Sequence, residues 1–154
     1  MNRRQLKKLS RHLVEAAHLG DTARAEELLR AGADPDRADR EGTTPLYAAS
    51  VQGEAEMARL LLAAGTCPDT ESGGESEGTP LCAAACWGHT ETVRELLAHG
   101  ADPNLREDHG TGHSPLEWAV RESCPETVAL LVAAGAVPRD GAGSVTTTPA
   151  PPAP

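Results

Sequence analysis

Gly-Thr-Pro-Leu-Cys-Ala-Ala-Ala-Cys-Trp-Gly-His-Thr-Glu-Thr-Val-Arg-Glu-Leu-Leu-Ala-His-Gly-Ala-Asp-Pro-Asn, residues 78–104, is the stretch that decides the fold. Thr79 carries a side-chain oxygen able to cap a helix N-terminus, and Pro80 suits the first helical position, where its missing N–H loses no partner. Leu81, Ala84 and Ala85 then form one small apolar face. Gly88 ends that helix by admitting a left-handed backbone. Val93, Leu96 and Leu97, at i, i+3 and i+4, mark a second helix from Thr90 to His99, which Gly100 closes and Pro103 bars from continuing. The unit is two short antiparallel helices and an extended connection.

The same signals recur on both sides. Thr44-Pro45-Leu46, Thr79-Pro80-Leu81 and Ser114-Pro115-Leu116 stand 35 residues apart. Leu28-Leu29, Leu61-Leu62, Leu96-Leu97 and Leu131-Val132 each end three residues before Gly32, Gly65, Gly100 and Gly135, at intervals of 33, 35 and 35. Such a period signals stacked supersecondary units rather than one closed core. Units are expected at about 5–36, 37–69, 70–104 and 105–138. The first is degenerate but keeps Leu13, Ala16, Ala17, Gly20, Leu28, Leu29 and Gly32-Ala33-Asp34.

The order Gly-x-Thr-Pro-Leu, paired Ala, Gly-His, paired Leu and Gly-Ala-Asp-x-Asn resembles the ankyrin repeat and is nearly verbatim in 78–104. Residues 42–69 repeat it, and residues 112–138 give it a third time, with Ser114 and Glu117 spaced as a capping box. The resemblance covers about residues 5–138 and implies an all-α solenoid of four helix-turn-helix repeats with hairpin-like loops between them. Ser123 departs from the pattern: it replaces the first-helix glycine, so a non-glycine residue is expected at positive φ, at about 1 kcal/mol. Pro125 is expected to start the last second helix. The connections after Gly65 and Gly100 are two residues longer than the one after Gly32 and should project further. Residues 139–154, rich in Pro, Ala and Thr, show no apolar period and read as a disordered tail.

Composition agrees with flat, repeated interfaces: two Trp, one Tyr and no Phe leave no aromatic core. The formal charge of -9 is uneven. Arg3, Arg4, Lys7, Lys8 and Arg11 occupy the first twelve residues without an acid, and the remainder holds nine bases against 23 acids. An acidic body disfavours nucleic acid, attracts a basic protein partner and resists self-association, so a monomer is expected. Leu6, Leu9, Leu13 and Val14 at helical spacing make the basic segment an amphipathic first helix rather than a targeting signal, and no stretch is long enough to span a bilayer. A cytoplasmic protein is expected. The N-terminal bases read as polar cover for the end of a stack, with an acidic ligand as the alternative.

The resemblance implies docking of a protein partner on the concave face and loop tips. The matching first-helix positions are Leu19 (with His18), Val51 and Gln52, Cys86 and Trp87, and Arg121 and Glu122. The loop-tip positions are Arg40, Glu41 and Thr43, then Glu75 and Glu77, then His109, Thr111 and His113. Trp87 is the foremost candidate, because its slot faces solvent and Trp is enriched at interface hot spots. The competing reading folds it against Val51 and His109. Asp69, Glu71, Glu75 and Glu77 form a solvated acidic loop or steer a basic partner.

Catalytic patterns are not found. Gly73-Gly74 lacks the strand and helix of a phosphate loop, and no Ser, His and Asp arrangement stands out. Asp108, His109 and His113 suggest a pH-sensitive contact or simply exposed polar groups. Cys67, Cys82, Cys86 and Cys124 contain no Cys-x-x-Cys pair, so disulfides are not expected. Cys82, Cys86 and His89 fall at i, i+4 and i+7, but Gly88 interrupts the helix and a fourth ligand is lacking, so neither metal nor cofactor is expected. Cys86 reads as an exposed thiol. The functional expectation is a non-catalytic scaffold or adaptor. The alternatives are a regulatory inhibitor subunit using its acidic loops, and a Cys/His metal or redox sensor. In single-Trp variants iodide should quench Trp87 more strongly than Trp118, which occupies a usually apolar slot on the last unit's first helix. The reverse order would refute the register.

Overall fold

The computed structural model describes residues 2–73 and 78–139, so Glu75, Glu77 and the tail expectation for 140–154 lie outside the described residues. Among the described residues nine helical segments follow in order: α1 (Arg3–Leu19), α2 (Thr22–Arg30), α3 (Pro45–Gln52), α4 (Ala55–Ala63), α5 (Pro80–Cys86), α6 (Thr90–Ala98), the single turn α7 (Glu107–Gly110), α8 (Pro115–Arg121) and α9 (Pro125–Ala133). The described residues contain no strand, and none of their helices is long and apolar enough to cross a membrane.

Local chemistry sets these boundaries. Thr44, Thr79 and Ser114 accept at Oγ from the backbone N–H three residues on, at 3.3, 3.2 and 3.2 Å, each ahead of a first-turn proline. Glu117 completes the capping box by accepting the Ser114 N–H at 2.9 Å. First helices end where a left-handed residue lets the next N–H reach back five residues: Glu54 to Ala49, His89 to Ala84 and Cys124 to Ala119, all at 2.9 Å. Second helices close the same way, with Thr66, Ala101 and Ala136 donating to Leu61, Leu96 and Leu131.

The helices pack as two layers. First helices form the row α1–α3–α5–α8, and second helices form the row α2–α4–α6–α9. Ala17, Ala48, Ala49, Ala84, Ala85 and Ala119 are all 0% exposed, so first helices meet through small faces. Between the layers lie Leu13, Leu46, Leu61, Leu81, Leu96 and Leu131. Each such leucine contributes about 1.5–3 kcal/mol of apolar burial.

A polar ladder ties successive units together. Asp36 Oδ1 accepts the Cys67 N–H (3.1 Å), and Asp69 Oδ1 accepts the Asp102 N–H (2.9 Å). Asn104 accepts from the Val137 N–H (2.9 Å) and donates to the Gly135 carbonyl (3.0 Å). These acceptors recur at the unit period and satisfy backbone groups beyond the helix ends.

Spacing between units depends on a close approach. A Cβ built on Gly53, whose φ is 74°, would lie 2.5 Å from the His89 ring, which is itself held by a 3.0 Å hydrogen bond from Nε2 to the Val51 carbonyl. Ser123 has φ 59°, the positive value expected of it. Gly53→Ala should therefore lower stability by about 2 kcal/mol or more, from left-handed strain plus overpacking. Ser123→Gly should raise it by up to about 1 kcal/mol, because only the backbone strain is relieved. Urea unfolding midpoints of the two variants check both signs.

Candidate interaction surface

The C-terminal ends of the first helices carry the predicted contact residues in a repeated position. Leu19, Gln52, Trp87 and Glu122 each directly precede the left-handed residue, and all four are exposed, Leu19 to 75% and Trp87 to 66%. Trp87 caps α5, with its N–H bonded to the Ala83 carbonyl at 3.2 Å. At that exposure its indole is not folded away against Val51 or His109. Arg121 is exposed, whereas Val51 and Cys86 are half-buried.

Among the loop residues Arg40, Glu41, His109, Thr111 and His113 are exposed. Thr43 is a correction. It is 6% exposed: its N–H donates to Asp39 Oδ1 and its carbonyl accepts the Asp39 N–H, both at 3.0 Å, so it closes the hairpin instead of topping it. The longer loops are closed by equivalent bonds, Ser72 N–H to the Gly78 carbonyl (3.0 Å) and Glu107 N–H to the His113 carbonyl (3.1 Å).

Asp69 and Glu71, the described members of the acidic run, make contacts within the stack that neither reading of the run included. Asp69 belongs to the ladder. Glu71 reaches into the next loop, accepting the Asp108 N–H (2.7 Å) and the His109 N–H (3.4 Å), and pairs with His109 Nδ1 (3.3 Å). Asp108 and His109 are held there in the left-handed region, at φ 50° and 54°. His113 pairs instead with Glu117 at 3.4 Å, so the two histidines serve separate carboxylates rather than one shared contact.

Trp118 organises the last unit, and the sequence reading missed its partners. Its Nε1 donates to Glu107 Oε2 at 2.8 Å. The His113 ring meets it edge-on with centroids 4.8 Å apart, and the Arg121 guanidinium lies 5.4 Å from the ring centroid. Burial raises the Glu107 pKa against the lowering effect of the indole hydrogen bond. Burial also opposes ionisation of Glu117, but the Ser114 N–H and the Arg106 guanidinium (2.7 Å) outweigh it and hold the carboxyl below its ordinary range. The Ser-x-x-Glu spacing signalled Glu117 as a cap; nothing local signalled Arg106 or Glu107.

The cysteine and histidine trio does not converge. Cys82 is buried, its Sγ 3.6 Å from the His113 carbonyl, and burial pushes its thiol far up. Cys86 is half-buried rather than exposed, and burial, then Glu122, raises its thiol too. Both groups are poor thiolates. His89 faces Val51 of the preceding unit. Among the described residues no three His, Cys, Asp or Glu side chains are grouped to hold a metal.

A carboxyl held low in the folded state adds stability that is complete above its unfolded pKa, about 4.3. That stability is lost as pH falls through the lower folded value. Glu117→Gln should therefore cost about 1 kcal/mol at pH 7 and progressively less in acid. Urea titrations at pH 7 and pH 3 measure the difference, and an equal deficit at both would remove the charged cap as its source.

The family model "Ankyrin repeats (3 copies)" matches residues 13–107 and 67–140. No curated protein matches the chain. With two layers of helices in register, hairpins between units and this match over most of its length, the chain belongs to the ankyrin-repeat family.

Proposed function

We propose that this chain is a non-catalytic adaptor that binds one protein partner across its first-helix ends and loop tips, with Trp87 as the central contact. Ankyrin repeats are generally protein–protein interaction modules, which sets the class of partner. The observation that carries the rest is the exposure of Trp87 at 66%, beside the half-buried Cys86. An indole left in water gains more from a partner's cover than any neighbouring side chain. Arg40, Glu41, His109 and Thr111 supply the surrounding polar contacts.

The net charge of -9 favours a basic partner surface and a monomeric adaptor. Cys67, Cys82, Cys86 and Cys124 are free thiols, which suits the reducing cytoplasm. The inhibitor reading leaned on the acidic loop, and Asp69 and Glu71 are occupied within the stack, so the adaptor reading is preferred.

Affinity purification with wild type identifies the partner, and titration of that partner then compares variants. Trp87→Ala should weaken binding by about 30-fold or more, corresponding to a 2 kcal/mol hot spot. Its thermal melt should match wild type. An unchanged partner bound with unchanged affinity refutes this surface.

A further inference from the structure

Twelve of the 14 lysines and arginines of this molecule fall into two populations. Arg24, Arg30, Arg59, Arg94, Arg106 and Arg121 each pair with a carboxylate, four of them with one three or four residues away on an exposed helix face. That is how this protein builds a solvated surface. Arg4, Lys7, Lys8 and Arg11 form no ion pair among the described residues, and they recur at i, i+3, i+4 and i+7 on one face of α1. Arg37 and Arg40 of the first loop, equally unpaired, line the same cleft, whose volume is about 630 Å³. Among the described residues Asp39 is the one carboxylate lining it, and its Oδ1 already accepts the Glu41 and Thr43 N–H groups at 3.0 Å each.

Six cations from two separate elements thus converge on a cleft with Asp39 as its one carboxylate among the described residues, and none of the six is ion-paired with it. Polar cover for a stack end does not require this; mixed, paired charges would serve, as they do on α2, α4 and α6. Like charges gathered around a cleft repel one another, and an anion between them relieves that repulsion.

We propose that this cleft between α1 and the first loop binds an acidic peptide segment of a protein. It shares Arg40 with the Trp87 surface but does not depend on Trp87. The cationic row on α1 spans about 10 Å, the length of about three extended residues. A bilayer is a poorer occupant, since membrane-surface helices insert apolar side chains. Here Leu13 is buried, Leu6 and Leu9 are half-buried, and none of the large exposed apolar residues lines the cleft. A long polyanion such as nucleic acid would run onto a body where 18 further acids outnumber seven bases once the first-helix and first-loop charges are set aside.

The test is fluorescence anisotropy with fluorescein-labelled hexaglutamate at low ionic strength. Wild type should bind saturably and weaken as salt rises. Lys7→Glu/Lys8→Glu, its neutral counterpart Lys7→Gln/Lys8→Gln, and Arg37→Glu should each weaken binding about tenfold or more. Arg94→Glu, an equal change of charge elsewhere, should change it less than about threefold, and Trp87→Ala should leave it unaltered. Absence of saturable wild-type binding overturns the proposal, as does equal weakening by Arg94→Glu. Tighter binding of oligothymidylate, or of phosphatidylserine vesicles, than of hexaglutamate also overturns it. Thermal melts confirm that the variants are folded, and the neutral pair retains a readout if charge reversal unfolds α1.

Discussion

Each unit is held at its distance from the next by a side chain lying where a Cβ would otherwise be. Atoms of Glu54, His89 and Cys124 sit 2.5, 2.5 and 2.8 Å from the positions that Cβ atoms on Gly20, Gly53 and Gly88 would take. Glycine in these places does two things together: it carries the left-handed turn that ends the first helix, and it vacates the volume the following unit fills. Alanine faces on α1, α3, α5 and α8 let the helices approach equally closely along the rest of their length. Ser123 keeps the turn and is exposed, with no further unit following it among the described residues, so a side chain fits there at the expense of backbone strain alone.

That spacing positions the polar groups. With units one period apart, a side-chain oxygen at the start of one connection falls opposite a free backbone N–H in the next, which produces the sequence Asp36, Asp69 and Asn104. Glu71 does the same one loop further out. Residues that look like surface charge are therefore acceptors for groups that would otherwise be unsatisfied near the stack. Exposed helix faces carry short-range ion pairs, and six cations without an ion pair among the described residues gather at one end.

The two ends of the stack are chemically unlike. α1 presents charge, whereas α8 and α9 present Val120, 60% exposed, and Val132, 54% exposed. Ser50 and Ala85, which occupy the position of Val120 in earlier units, are fully covered by the unit that follows. The mid-stack surface, with Trp87 at its centre, lies between a basic end and an apolar one.

Helix starts, helix ends and the period were legible because each depends on residues within a few positions of one another. Thr-Pro-Leu caps and opens a helix wherever it stands, and Leu-Leu followed by Gly closes one. The exposure of Trp87 followed from the same register, and so did the strained turn at Ser123. Arrangements that join residues in different units or loops were not legible. Glu71 under the next loop, Glu107 beneath Trp118 and Arg37 beside Lys7 involve partners far apart in the chain, and no local pattern encodes them. Even Thr43 was misplaced, because a hairpin's closing hydrogen bonds decide which residue is the tip. Local sequence determined the helices and their spacing; only the stacked structure decided which charges are satisfied internally and which remain for a partner.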